Sequence, residues 1–160
     1  MKDVRPTSGR VLSALFSILG ERVSGARFLD MFAGTGRVGL EALSRGADSC
    51  VFIESVRARA DELRKKAGDS LVLSLEVRRA VSWLVKREMT FSLVFADPPY
   101  CSGWCEALPA VPGIAALLAE DAVFVVEHSV REKMDKAPGF EIFSAREYGE
   151  TCLTFLRRLI

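Results

Sequence analysis

The chain has 160 residues, 49% of them apolar and 27% charged, with a formal net charge of +1. This length allows one α/β domain covering residues 1–160 and excludes a second full domain. No run approaches the roughly 20 apolar residues of a membrane span, and the polar stretch from Met1 to Arg10 is unlike a signal peptide. We therefore expect a cytoplasmic, monomeric protein, and its near-neutral charge means that any surface for nucleic acid must be local.

The four cysteines are scattered along the chain without a C-x-x-C pair. Cys101 and Cys105, four positions apart, are the only close pair, and they have no nearby histidine in the sequence. Such spacing does not build a metal site. We interpret the cysteines as free thiols and predict no bound metal.

The first predicted element is a helix over Val11 to Leu19, whose apolar residues recur at helical spacing behind a Thr7 or Ser8 cap. Apolar runs bounded by turn residues then predict seven strands: Arg27 to Phe32, Cys50 to Glu54, Leu71 to Val77, Phe91 to Ala96, Ala122 to Glu127, Glu141 to Arg146 and Thr151 to Arg157. Four helices are predicted between the first five strands: Val38 to Ser44, Val56 to Lys66, Ala80 to Glu88 and Cys105 to Leu118.

Only the run from Glu147 to Glu150 separates the last two strands, so they should form an antiparallel hairpin. Alternating strands and helices that end in such a pair predict a Rossmann-like, mostly parallel seven-stranded sheet. Its last strand would be antiparallel and its helices would cover both faces. Ligands of such sheets bind outside the carboxyl ends of the strands.

A glycine-rich turn follows the first strand and opens the next helix. Glycines allow the backbone to approach a ligand closely, and the spacing from Gly34 to Gly39 also matches a dinucleotide fingerprint. Two acids decide between these readings. Asp30 would repel a pyrophosphate but suits the ammonium group of a methionine moiety, directly or through water, and Glu54 ends the second strand where an acid can accept both hydrogen bonds of a ribose diol.

This pattern predicts a site for S-adenosylmethionine, with S-adenosylhomocysteine as the product and no metal. The cofactor-binding residues predicted from it are Asp30, Phe32, Ala33, Gly34, Thr35, Gly36 and Glu54. The fold would then be that of a class I S-adenosylmethionine-dependent methyltransferase.

The fourth strand runs directly into Asp97-Pro98-Pro99-Tyr100. Consecutive prolines fix an extended path and remove two backbone donors, so the carbonyl groups stay available to a ligand. The Asp97 carboxylate and the Pro98 carbonyl could accept hydrogen bonds from both N–H groups of an exocyclic base amine. This favours the pyramidal geometry in which the nitrogen lone pair attacks a methyl group. Tyr100 offers a face for stacking the base. We predict that these four residues, including Pro99, form the catalytic loop.

The chain resembles the RsmD-type 16S ribosomal RNA guanine-N2 methyltransferases. The resemblance is carried by Arg5-Pro6-Thr7 with Arg10-Val11, by the run from Leu29 to Gly36, by the run from Gly39 to Ala47, by Asp97 to Tyr100 and by the run from Glu147 to Thr151. It implies methylation of a guanine N2 in small-subunit ribosomal RNA, with ribosomal RNA or the small subunit as partner. It also implies that the opening segment, residues 1–20, helps to close the site.

The resemblance implies roles in substrate binding for Arg5, Thr7 and Arg10, while Arg37 is a phosphate candidate because it neighbours the cleft. Family members usually carry an N-terminal β-hairpin before the Arg-Pro-Thr run, whereas only Met1 to Val4 precede it here. The family also tends to carry Asp or Asn before an alanine after the third strand. This chain has Arg79 before Ala80, so backbone groups around Ala80 are expected to read the adenine.

Other hypotheses fit parts of the pattern. The Asp-Pro-Pro-Tyr chemistry also serves an adenine N6 of DNA or RNA and a protein glutamine amide. A non-catalytic nucleotide-binding module and a nicotinamide-dependent oxidoreductase belong to other classes. An oxidoreductase has no need of Asp97 to Tyr100, and a degenerate module would have lost some of Asp30, Glu54 and Asp97.

Overall fold

A computed structural model describes residues 7–159 of the chain. Within them, the strands are β1 (Arg27–Met31), β2 (Ser49–Ile53), β3 (Leu71–Leu73), β4 (Phe91–Ala96), β5 (Leu118–Ser129), β6 (Phe140–Tyr148) and β7 (Thr151–Arg158). The α-helices are α1 (Gly9–Leu19), α2 (Arg37–Ser44), α3 (Arg57–Lys66), α4 (Val77–Lys86) and α5 (Trp104–Ala107). Short 3₁₀ helices occupy Gly20–Arg22, Leu108–Ala110 and Ala115–Leu117.

The strands of this part of the chain form one seven-stranded sheet in the order β3-β2-β1-β4-β5-β7-β6. Strands β1 to β5 pair in parallel, whereas β7 is antiparallel to both β5 and β6. The predicted fold class, including the antiparallel last strand, is therefore confirmed. The hairpin prediction did not say which of the two strands joins β5; the structure places β7 there and β6 at the edge.

Two hydrophobic cores cover the two faces of the sheet. Leu29 and Met31 of β1 belong to the core that includes the buried side of α4, whereas Phe28 points the other way into the core beneath α1, α2 and α3. This alternation follows from the two-residue period of a strand. The helices lie on both faces because strands buried on both sides need apolar cover on each.

Among the predicted elements that differ from the structure, two do so because of local breaks. The third strand ends at Leu73 instead of Val77, since the Glu76 side chain accepts a hydrogen bond from the Arg78 N–H (3.1 Å) and caps the start of α4. The predicted helix from Cys105 to Leu118 is wrong: α5 has four residues and is followed by short 3₁₀ helices. Pro109 and Pro112 have no N–H to donate within a helix, and Gly113 adopts a φ of 88°.

No helix in the part of the chain that the structure describes is long and apolar enough to cross a membrane.

Gly39 allows α2 to lie directly against β2. A Cβ atom at this position would stand 2.4 Å from a ring carbon of Phe52 and 2.7 Å from the sulfur of Cys50, both of them buried. We expect Gly39→Ala to lower the free energy of unfolding by about 1–3 kcal/mol, because the packed core has no room for the methyl group. Urea unfolding measures the change.

The matched control is Gly9→Ala in the first turn of α1, where the nearest atom to a new Cβ lies 3.6 Å away. It should be neutral or slightly stabilising, since alanine favours a helix over glycine. A Gly39→Ala variant as stable as the Gly9→Ala variant would contradict the proposed close packing of α2 on β2.

Candidate active site

The carboxyl ends of four neighbouring strands lie side by side at one edge of the sheet. Their register pairs Ile53 with Met31, Met31 with Ala96, and Ala96 with Val126. The residues that follow these four positions are Glu54, Phe32, Asp97 and Glu127. Parallel pairing thus brings the predicted cofactor turn and the predicted catalytic loop to adjacent positions, where ligands of such sheets bind.

The glycine-rich turn is a tight connection between β1 and α2. Phe32, Gly34 and Gly36 all have positive φ, of 58°, 59° and 79°. The Ala33 N–H donates to the Ile53 carbonyl and the Gly36 N–H donates to the Ala33 carbonyl, both at 2.8 Å. The turn is therefore held against the end of β2, and the left-handed backbone explains the glycines at positions 34 and 36.

Asp30 lies in β1 beneath the turn and is 1% exposed. Its carboxyl Oδ2 accepts a hydrogen bond from the Gly39 N–H (2.9 Å), which ties the strand to α2. Burial raises the pKa of Asp30 to about 8; the Gly39 N–H partly opposes the shift and Glu54 adds to it. A buried carboxyl of this kind favours a cationic neighbour. The predicted contact with an ammonium group remains a prediction.

Glu54 joins the glycine turn to the segment that leads into α3. Its Oε1 accepts from the Gly34 N–H (2.9 Å) and its Oε2 accepts from the Val56 N–H (2.7 Å). The Arg59 guanidinium approaches Oε2 at 4.0 Å. Because each carboxylate oxygen has two lone pairs, these contacts orient Glu54 and leave acceptor capacity for a diol. The ribose role of Glu54 remains a prediction.

The loop that follows β4 begins at Asp97. Burial raises the pKa of Asp97 well above its ordinary value, and the negative charges of Glu127 and Asp30 raise it further. Tyr100 is 39% exposed, and its hydroxyl lies 3.0 Å from the Thr151 Oγ1 at the start of β7. Its exposed ring can therefore meet a ligand while its hydroxyl end is anchored.

Glu132 holds the residues just beyond this loop. Its two carboxyl oxygens accept from the Cys101 N–H (3.1 Å) and the Gly103 N–H (3.2 Å). The Ser102 hydroxyl also donates to the Pro99 carbonyl. Backbone hydrogen bonds to one carboxylate thus fix the path of the chain after Tyr100.

The segment before α1 is fastened to both halves of the site. The buried Thr7 hydroxyl donates to the Glu127 Oε1 at 3.0 Å, and the Arg37 guanidinium donates to the Thr7 carbonyl. Arg10 is exposed, with its guanidinium 5.8 Å from the centre of the Tyr148 ring. Arg5, the remaining substrate-binding candidate, lies outside the described residues. The structure thus brings Thr7 and Arg37 together beside the predicted catalytic loop.

Glu127 is a site residue that sequence reasoning missed. It is 4% exposed; burial raises its pKa to about 7, while the Thr7 hydroxyl opposes the shift. The rule that selected Glu54 and Asp97 also applies here, because Glu127 ends the predicted fifth strand. The signal in the sequence that could have identified Glu127 is an acid directly after the apolar run that ends at Val126.

Ala80, around which backbone groups are expected to read the adenine, lies within α4. It is fully buried, and its N–H donates to the Glu76 carbonyl (2.9 Å) inside α4. Its N–H is therefore unavailable to an adenine ring, and the structure gives the prediction for Ala80 no support. Arg79 lies exposed on the outer side of the same helix.

The buried Asp30 makes stability depend on pH. Its pKa rises from 3.8 to about 8 on folding, so between these values the folded protein holds a proton that the unfolded chain has lost. We expect the free energy of unfolding of the ligand-free protein to fall as pH rises through this window. One such group contributes a slope of up to about 1.4 kcal/mol per pH unit.

Urea unfolding between pH 5 and 8 tests this. Asp30→Asn should reduce the slope, because the amide does not titrate, while Asp97 and Glu127, whose pKa values are also raised, contribute the slope that remains. Asp69→Asn, at an exposed position, is the control and should keep the slope of the unsubstituted protein. Equal slopes for Asp30→Asn and the unsubstituted protein would show that another group is responsible.

Comparison with known proteins finds a match to one family model, described as conserved hypothetical protein 95, over residues 1–157. Ribosomal RNA small subunit methyltransferase D of Escherichia coli K12 is 36% identical over 84% of this chain and 69% of its own length. The Bacillus subtilis protein YlbH is 33% identical over 98% of this chain and 89% of its own. The solved structure of E. coli YhhF is 31% identical, with a TM-score of 0.82 over 98% of this chain and 90% of that one.

Proposed function

The chain belongs to the RsmD-type family of ribosomal RNA methyltransferases, and we propose that it methylates the N2 amine of a guanine in small-subunit ribosomal RNA, with S-adenosylmethionine as donor. The observation that carries the proposal is the position of the Asp97 to Tyr100 loop. Parallel pairing of β4 with β1 sets this loop beside the glycine-rich turn, so a target amine held by one would face a cofactor held by the other.

The residues at the ends of β1 and β2 suit the proposed cofactor. Asp30 supplies a buried carboxyl for an ammonium group, and Glu54 supplies oriented oxygens for a ribose diol. The tight turn from Phe32 to Gly36 allows backbone to approach the ligand between them. When bound, the cofactor supplies an electrophilic methyl group on a cationic sulfur.

The chain's own contribution to the reaction is to position the amine. The Asp97 carboxylate and the Pro98 carbonyl each accept a hydrogen bond from one N–H of the amine, which concentrates the nitrogen lone pair on the side facing the methyl group. Tyr100 stacks on the base and fixes its plane. Most of the rate then comes from orientation and from carboxylates already in place, rather than from a strong general base.

Thr7, just before α1, contacts both parts of the same site. Thr7 contacts Glu127 beside the catalytic loop and Arg37 beside the cofactor turn, so the segment spans the boundary between the two. Arg10 and Arg37 are exposed cations at this rim and suit the phosphates of an RNA substrate.

The test is transfer of labelled methyl from S-adenosylmethionine to unmethylated small ribosomal subunits and to their deproteinised RNA, followed by digestion to nucleosides. N2-methylguanosine on either substrate supports the proposal and identifies the form that is recognised. Label in N6-methyladenosine or in protein would transfer the function to another amine acceptor. No label on either substrate, despite measurable cofactor binding, would overturn the ribosomal RNA proposal.

A further inference from the structure

The outer face of α4 carries positive charge that the proposed site does not use. The stretch from Val77 to Arg87 contains four cations and no acid: Arg78, Arg79, Lys86 and Arg87. Of the flanking acids, Glu76 pairs with Arg78 at 3.6 Å. Arg79, Lys86 and Arg87 have no acidic partner within residues 7–159. The face is therefore a cationic surface on a chain whose net charge is close to zero.

These cations border a groove rather than a flat surface. The groove has a volume of 420 Å³ and is lined by Leu75, Arg79, Ser82, Trp83, Lys86 and Arg87. Residues three, four and seven apart share one side of a helix, so Arg79 and Lys86 mark two points of the same row. Seven residues of helix advance about 10 Å, a length over which one nucleic-acid strand of a duplex presents about three phosphates.

Two of the arginines are held in place by aromatic rings. The Arg87 guanidinium lies 3.5 Å from the centre of the Trp83 ring and donates to the Trp83 carbonyl at 3.0 Å. The Arg78 guanidinium lies 4.5 Å from the centre of the Trp104 ring. Cations ordered in this way lose less conformational freedom when they bind a phosphate.

The basic face begins at the active-site edge of the sheet. The helix α4 follows β3, so its first turn lies at the carboxyl ends of the parallel strands. Trp104, beneath Arg78, packs edge to face on Phe32 of the glycine turn, with ring centres 5.2 Å apart. A polynucleotide whose target base reaches Asp97 can therefore continue along α4.

We propose that the outer face of α4 binds the phosphate backbone of the RNA that flanks the target nucleotide. This inference rests on the proposed function for the identity of the nucleic acid. An RNA backbone fits better than an acidic protein, because Arg79 and Lys86 are spaced along one row of α4 at a separation that spans successive phosphates. Affinity along this face should depend on charge and salt rather than on base sequence.

The test compares the unsubstituted protein with a double variant, Arg79→Gln with Lys86→Gln, in binding to deproteinised small-subunit RNA over a series of KCl concentrations. Each lost phosphate contact lowers the slope of log K against log salt by about 0.7 to 0.9. We expect the double variant to lose between one and two units of slope and to bind about 10- to 100-fold more weakly at 0.1 M salt.

The matched control removes two exposed cations from α3, Arg57→Gln with Lys65→Gln, so that the net charge changes equally. It should keep the slope and affinity of the unsubstituted protein. Cofactor affinity, measured in all three proteins, shows that each is folded.

Slopes that agree between the α4 variant and the unsubstituted protein would overturn the inference. So would a variant that binds bare RNA normally and loses affinity only for assembled subunits, since its partner would then be a ribosomal protein. RNA binding that depends on α4 in a protein that methylates no guanine would instead overturn the proposed function and leave the inference standing.

Discussion

Asp97→Ala is expected to lower the rate constant for methyl transfer by about 10³-fold, the size of effect seen when one preorganised polar contact to a reacting group is removed. Asp97 follows the last residue of β4, where its carboxylate would accept a hydrogen bond from the target amine. The affinity for S-adenosylmethionine should change by less than about threefold, because the proposed cofactor contacts come mainly from the ends of β1 and β2. Single-turnover methyl transfer and calorimetric cofactor binding measure the two quantities separately.

Asp97→Asn provides the stricter version of this experiment. It preserves the size of the side chain and one acceptor oxygen but removes the negative charge, so it should be slower than the unsubstituted protein and retain more activity than Asp97→Ala. Glu106→Ala, at an exposed acid of α5, serves as the control. An Asp97→Ala variant with near-normal rates would remove the amine-positioning role.

Glu54→Ala is expected to weaken cofactor binding by about 100-fold, the loss of two hydrogen bonds to a charged acceptor at about 1.5 kcal/mol each. The contacts of Glu54 with the N–H groups of Gly34 and Val56 would also be lost, which loosens the turn beneath the cofactor. Equilibrium binding of S-adenosylmethionine and of S-adenosylhomocysteine should reveal the same loss, since both carry the ribose.

The control for Glu54 is Glu62→Ala on α3, whose side chain is exposed and paired with the exposed Lys65. It should bind the cofactor like the unsubstituted protein. Cofactor affinity that survives in Glu54→Ala, with the protein folded, would exclude Glu54 from the ribose site. Affinity that falls equally in Glu54→Ala and Glu62→Ala would indicate a general effect of charge instead.

Three carboxyls share this cleft, Asp30 and Glu127 buried and Asp97 partly buried, and their pKa values explain why a cation suits it. Burial raises the pKa of Asp30, Asp97 and Glu127, and the negative charge of Asp30 and Glu127 further raises that of Asp97. Neighbouring carboxyls that resist ionisation together are relieved by a positive charge. A cationic ligand bound among them would lower all three pKa values and favour the ionised Asp97 that the amine requires.

Much of the site was predictable because its signals are local. Strand ends follow from apolar runs with a period of two, and the glycines and prolines mark turns through their own backbone preferences. Glu54 and Asp97 were found by placing acids at those ends, and the structure brings the ends together at one edge of the sheet. The alternation of strands and helices and the terminal hairpin follow from the same local pattern.

The sequence by itself therefore determined the fold class, the family and the two loops, since period, turn residues and short motifs are properties of neighbouring residues. Only the tertiary structure decided which distant groups meet. The Thr7 contact with Glu127 joins residues 120 positions apart. The position of β7 between β5 and β6 depends on its pairing with β5, a strand that is not its neighbour along the chain. The Glu76 cap starts α4 at Val77, three residues before the predicted start. In this helix Ala80 belongs to the buried side and Arg79 faces outward, which the motif around Ala80 did not indicate.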